Sequence, residues 1–178
     1  MYNIIVKKYG GPENLTFQRL KEEKIGKNDV KIKVNYAGVN FADILTIKGR
    51  YQERPRPPFT PGLEVSGEVI EVGSNVLKLQ INDKVMAIMK YGGYKELVNI
   101  PEENTYKVLT GMPLKIAGGF PVAYGTAFTA VVTKGKIKNK ETCLILGATG
   151  GVGLAAIEIA KAYGSKVIAC GGNDEKLK

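Results

Sequence analysis

Thr142-Cys143-Leu144-Ile145-Leu146, then Gly147-Ala148-Thr149-Gly150-Gly151-Val152-Gly153, then Leu154 to Tyr163 follow one another without a break. An apolar run, a glycine-rich turn and an amphipathic stretch in that order describe the opening of a dinucleotide-binding fold. Glycines let the backbone turn sharply and approach a pyrophosphate, and the next helix offers it unpaired N–H groups and a partial positive charge. A glycine pattern by itself fits a plain tight turn equally well. The flanks strengthen the first reading. Val152, Ala156, Ile159, Ala160 and Tyr163 recur at helical spacing, and Gly164 stands where a helix C-cap belongs. Lys166-Val167-Ile168-Ala169-Cys170 reads as a buried parallel strand. The backbone of Gly150, Gly151, Val152 and Gly153 is therefore expected to face the pyrophosphate. Lys178 follows soon after that strand, so only the first βαβ unit of the fold is expected here.

The type of dinucleotide is read at the end of the second strand. A fold selecting NAD places Asp or Glu there, about 20 residues past the turn, against the ribose 2′-hydroxyl. Gly171 occupies that position, followed by Gly172, and Lys176 lies one helical turn further on. With no carboxylate to repel a 2′-phosphate, NADPH is the expected cofactor. Asp174 has two readings, as a ribose ligand or, with Asn173, as a helix cap. Lys176 also reads as a solvated surface residue.

Composition narrows the chemistry. The 178 residues are 44% hydrophobic and 24% charged, which allows a sizeable core in one large domain or one and a part. No apolar run is long enough to span a bilayer, and Met1-Tyr2-Asn3-Ile4-Ile5-Val6-Lys7-Lys8 lacks the pattern of a signal or transit peptide, so a cytoplasmic protein is expected. The net charge of +9 is mostly scattered lysine, with arginine only at Arg19, Arg50, Arg54 and Arg56. No aromatic-interleaved basic stretch accompanies it, so no nucleic-acid partner is expected. A positive field does steer anionic ligands such as nucleotides. The absence of histidine excludes Ser-His-Asp and Cys-His nucleophiles and histidine metal sites. Cys143 and Cys170 both fall in strands read as buried and form no convincing metal or disulfide pattern. Hydride transfer survives these exclusions, because the cofactor carries the reaction.

Upstream, the chain is β-rich to about Pro101. Ile4–Val6, Leu15–Leu20, Val30–Val34, Glu64–Val72, Lys84–Ile88 and Tyr94–Val98 are short β-prone stretches separated by turn signals, which suggests a small barrel or sandwich. Helix is expected there only around Phe41 to Lys48, and Arg54 to Pro61 reads as an extended proline-rich loop. From about Pro113 the sequence turns helix-prone. Ala117 to Val132 reads as a helix interrupted near Gly118-Gly119 and Pro121.

Taken together, these stretches resemble the medium-chain dehydrogenase/reductase superfamily, and within it the zinc-free quinone oxidoreductases of the zeta-crystallin type. The matching segments, in family order, are Tyr9-Gly10-Gly11-Pro12-Glu13, Gly38-Val39-Asn40-Phe41-Ala42-Asp43, Gly49-Arg50-Tyr51, Pro61-Gly62-Leu63-Glu64-Val65-Ser66-Gly67 and Gly147 to Gly153. The resemblance implies an α/β chain with two parts: a barrel-like, GroES-like catalytic domain over residues 1–122, and a partial Rossmann domain over 123–178. It also implies NADPH-dependent reduction of a quinone or activated double bond.

Zinc-dependent members carry Cys within the segment held here by Asn40 to Asp43, and His at the position of Leu63, so no metal is expected. In the family, the residues matching Asn40 and Asp43 help form the nicotinamide and substrate pocket. The residue matching Thr126 bonds near the nicotinamide or pyrophosphate. Tyr51 matches the tyrosine that enoyl-thioester reductases use as a proton donor. Each has a plainer alternative: Asn40 and Asp43 as caps of the short helix, Thr126 bonding its own backbone, Tyr51 packing beside the proline-rich loop. The small-molecule partner is then a quinone or enone. The alternatives are a 2-enoyl-thioester reductase and a cofactor-binding or structural protein without turnover. Parallel strands need cover on both faces, and family members continue beyond this length. Self-association as a homo-oligomer is therefore expected.

Overall fold

Alternating apolar residues build the first compact unit, Met1–Gly119. In the computed structural model, which describes residues 1–177, β1 (Tyr2–Val6) and β2 (Leu15–Arg19) pair antiparallel. β3 (Asp29–Ala37), β4 (Glu64–Val72), β5 (Lys84–Ile88), β6 (Leu97–Pro101) and β7 (Thr105–Lys107) form an antiparallel sheet in the order β6-β3-β4-β5-β7. The period of two sends Val30 and Ile32, Val65 and Val69, Val85 and Ala87, and Val98 and Ile100 to one face, where they form a single core with Leu79. One short helix, α1 (Phe41–Ile47), lies between β3 and β4, and its Ile47 joins Val6 and Phe59 in a smaller cluster.

Two strands differ from expectation. The stretch expected over Tyr94–Val98 pairs only from Leu97, because the Tyr94 N–H donates to the Pro61 carbonyl (2.9 Å) and its carbonyl accepts from the Ile4 N–H (3.0 Å). The strand instead runs on to Pro101, which an edge strand tolerates. β7, at three residues, is too short for its alternation to register in the sequence.

The helix expected over Ala117–Val132 is three pieces: α2 (Leu114–Ala117), α3 (Pro121–Phe128) and a π-helical turn over Thr129–Lys134. Pro121 sits in the first turn of α3, where its missing N–H leaves no bond unmade. α3 belongs to the second unit, which begins at Phe120. There β8 (Thr142–Leu146) and β9 (Lys166–Cys170) pair in parallel across α4 (Gly151–Ala162). Ala127, Ile145, Ala148, Ala155 and Ala156 form the core, their small side chains letting α3 and α4 come close.

The two parallel strands are not buried as expected. Of β8 only Ile145 is buried, Leu144 and Leu146 are 58% and 76% exposed, and no residue of β9 is buried. Cys143 and Cys170 are half-buried for the same reason, and Val152 and Tyr163 are exposed. The core of this unit lies where α3 and α4 meet β8, and no described residue buries Leu144, Leu146 or Ile168. Among the described residues, no helix is long and apolar enough to cross a membrane.

Candidate functional site

α1 is entered through Asn40, whose extended backbone makes it the N-cap. Asp43, three residues on, closes a capping box by accepting the Asn40 N–H on Oδ2 at 2.8 Å. The Asn40 side chain reaches β4, where Nδ2 donates to Glu64 Oε1 at 2.7 Å. The Tyr94 hydroxyl lies 3.0 Å from Asp43 Oδ2 and 3.2 Å from the Gly38 carbonyl, so its one proton is shared between them. Asp43 and Glu64 are only 2% and 1% exposed, and the second Asp43 oxygen, Oδ1, has no hydrogen-bond partner. Asn40 and Asp43 therefore cap α1, the plainer of the two uses expected of them, and they stand with Glu64 and Tyr94 in one hydrogen-bonded polar cluster.

Burial raises the Asp43 carboxyl above the ordinary aspartate value, against the opposing pull of the Asn40 N–H, the Tyr94 hydroxyl and the Gly62 N–H. Burial and then the Asp43 carboxylate push the Tyr94 phenol far up, with Glu64 adding to the effect. Because the folded value of Asp43 is raised, its stabilising contribution is complete below the unfolded value near ~3.9 and is lost as pH rises through the folded value. Asp43→Asn keeps an acceptor for the Asn40 N–H and the Tyr94 hydroxyl and removes the titration. Its stability relative to the parent should climb as pH rises from about 4 to 7, as read by thermal melts across that range. A difference that stays flat with pH would show that Asp43 does not titrate within the fold.

Glu64 and Tyr94 are not among the residues that the sequence singles out. Glu64 does leave a signal, an acid inside the otherwise apolar run Gly62-Leu63-Glu64-Val65. Tyr94 leaves none. Tyr51 is half-buried. Its carbonyl accepts from Arg54 Nε at 3.2 Å, and neither Asn40 nor Asp43 is hydrogen-bonded to it.

In the second unit, Gly150 is the N-cap of α4, and the first-turn N–H groups of Gly151, Val152 and Gly153 have no acceptor within the helix. Gly153 is buried against the turn, and a Cβ there would stand 2.7 Å from Ala148 Cα. The Ala148 N–H bonds the Cys170 carbonyl at 2.9 Å, which ties the turn to the end of β9. Gly171 is thereby held beside it, and a Cβ on Gly171 would lie 3.1 Å from Thr149 Cγ2. Asp174 to Lys176 form one 3-10 turn capped by Asn173, whose Oδ1 accepts the Lys176 N–H at 3.1 Å. Lys176 is exposed, as is Thr126 on α3. The donors, the close helix approach and the lack of an acid at Gly171 fit a phosphorylated dinucleotide. Among the described residues, no three His, Cys, Asp or Glu side chains gather as a metal site.

Residues 26–113 match the alcohol dehydrogenase GroES-like domain family. The fold is accordingly a GroES-like half-barrel domain followed by a βαβ unit. Over 165 residues, 92% of this chain and 47% of the relative, the sequence is 39% identical to the quinone oxidoreductase-like protein 2 of Mus musculus. The quinone oxidoreductase of Escherichia coli, solved in complex with NADPH, superposes with a TM-score of 0.93 at 29% identity, covering 99% of this chain and 54% of that one. The quinone oxidoreductase of Thermus thermophilus, also solved with NADPH, gives 0.87 at 31% identity, covering 99% and 55%. This chain belongs to the medium-chain dehydrogenase/reductase superfamily, in its quinone oxidoreductase-like branch. It spans about half the length of the curated relatives it matches.

Proposed function

We propose that this chain is a zinc-free, NADPH-dependent reductase of quinones or enones. The observation that carries the reading is the glycine turn at the α4 N-terminus with Gly171, and no acid, held beside it. The bound cofactor would supply a hydride. The N–H groups of Gly151, Val152 and Gly153 would hold its pyrophosphate, with Gly150 shaping the turn. Lys176 would face the 2′-phosphate, and Thr126 would bond the nicotinamide side of the cofactor. Asn40 would contact the substrate, with Asp43 fixing the Asn40 backbone from behind. Such a protein works by holding reactants in place, without covalent catalysis. We place it in the cytoplasm. We also propose that it self-associates through the exposed apolar face of the β8–β9 pair, which light scattering reads directly.

Fluorescence titration tests the cofactor. NADPH should bind more tightly than NADH, and Lys176→Glu should narrow that preference about fivefold, the scale of one exposed charge pair. Tighter binding of NADH by the parent would defeat the assignment and move Asp174 to the ribose. Binding of NADPH without reduction of any quinone would leave a binding protein.

One observation favours a second reading, reduction of a 2-enoyl thioester. The Tyr51 hydroxyl bonds to no described residue, so its proton is free for transfer. Tyr51→Phe should then lower enoyl-thioester reduction by about 100-fold and quinone reduction little, since a reduced quinone can take its proton from water. Small, equal losses on both substrates would return Tyr51 to packing.

A further inference from the structure

The Met1–Gly119 unit holds an open cavity of about 370 Å3 that shares no lining residue with the Asn40 cluster or the glycine turn. Ile5 of β1, Arg56, Phe59, Tyr91 and Lys95 are among its walls. Its volume lies at the lower end of the range, about 300–1,000 Å3, in which proteins bind small molecules. The apolar part is aromatic. Phe59 is buried, and its ring meets that of Tyr91 edge to face at 6.3 Å and 74°. No acid stands among the walls, whereas two cations do. Lys95 Nζ is balanced by Glu23 at 3.0 Å, and that acid lies outside the cavity. Among the described residues Arg56 forms no ion pair, which leaves its guanidinium as the surplus cation.

These walls are held in place before any ligand arrives. The Val6 N–H donates to the Phe59 carbonyl at 2.8 Å and the Phe59 N–H to the Val6 carbonyl at 3.2 Å. The Tyr9 hydroxyl donates to the Pro55 carbonyl at 2.9 Å. Pro55 and Pro58 also line the cavity, each with φ fixed by its ring. A surface so constrained loses little freedom on binding. A guanidinium presents a planar fork that fits a carboxylate through two parallel hydrogen bonds. An aromatic pair gives a flat apolar body favourable contacts at ring edges and faces. We propose that this cavity is a second small-molecule site, which takes an aryl carboxylate: its carboxylate on Arg56 and its ring system against Phe59 and Tyr91. Lys95 adds to the positive field that draws the anion in. The site is independent of the reductase reading, which assigns none of these residues to cofactor or substrate.

The probe is 1-naphthoate, titrated into the 15N-labelled whole chain at neutral pH, where it is ionised. Amide signals of Phe59, Thr60, Tyr91 and Gly92 should shift and saturate with a Kd of about 1 mM or tighter. 1-Naphthamide, the same ring system without the charge, should bind at least about tenfold more weakly. Arg56→Gln should weaken 1-naphthoate about tenfold and leave 1-naphthamide within about twofold of the parent, because only the charged probe uses the guanidinium. Arg56 is exposed and belongs to no hydrophobic cluster, so the substitution leaves the fold intact. Equal affinity for the two naphthyl probes, in the parent or lost equally in Arg56→Gln, would overturn the role of Arg56. Inorganic phosphate binding as tightly as 1-naphthoate would overturn the role of the aromatic walls. Shifts confined to Asn40 and the glycine turn, or no saturable shift by about 10 mM, would overturn the site itself.

Discussion

Gly62→Ala is expected to destabilise the Met1–Gly119 unit by about 3 kcal/mol or more, a lowering of the urea midpoint by about 1–2 M. Two effects add. Gly62 has φ +106, where a Cβ is strained by roughly 1–2 kcal/mol. The new methyl would also stand 2.8 Å from Tyr94 N and 2.9 Å from Gly93 Cα, both backbone atoms that cannot swing away. Those atoms are pinned by the Gly93 N–H to the Gly62 carbonyl (3.0 Å) and the Tyr94 N–H to the Pro61 carbonyl (2.9 Å). Gly92 separates the two effects, with φ +107 and nothing within 4 Å of its would-be Cβ. Gly92→Ala should therefore lose only the strain, about 1–2 kcal/mol. Equal losses at the two positions in urea titrations would show that contact with the Tyr94 backbone contributes nothing.

Gly153→Ala should have the largest effect on cofactor binding. Its methyl would collide with the Gly147 carbonyl oxygen and lie 2.7 Å from Ala148 Cα, so either α4 or the turn must retreat. The first-turn N–H groups would then lose their placement. NADPH affinity should fall more than about tenfold, which is about 1.4 kcal/mol. Hydrogen exchange gives a reading independent of the cofactor, because amides of α4 should lose protection in the unliganded variant. Affinity within about twofold of the parent, with α4 protection intact, would show that the helix accommodates the methyl and that close packing at Gly153 is dispensable.

Features that are local or periodic are legible in the amino-acid order alone. A strand, a glycine turn and a helix of small apolar residues are adjacent in the chain, so β8, α4 and β9 can be read directly, as can Asn40 and Asp43 at capping spacing. The absence of histidine, with Asn40 and Leu63 in the segments that hold zinc ligands in the resembling family, is equally plain. Partnerships between distant segments are not. Glu64 meets Asn40 across 24 residues and Tyr94 meets Asp43 across 51, and no periodicity marks which polar side chain a buried acid will find. Tyr94 reads as the start of a strand, whereas its backbone bonds Pro61 and Ile4, a choice made by the packing of β1 against that loop. The exposure of Leu144, Leu146 and Ile168 is likewise hidden, since an apolar run records that a strand prefers cover but not whether a neighbour supplies it. Tertiary structure decides such matters because burial and the pairing of buried charge depend on which segments meet, and a linear pattern carries only each segment's own preference.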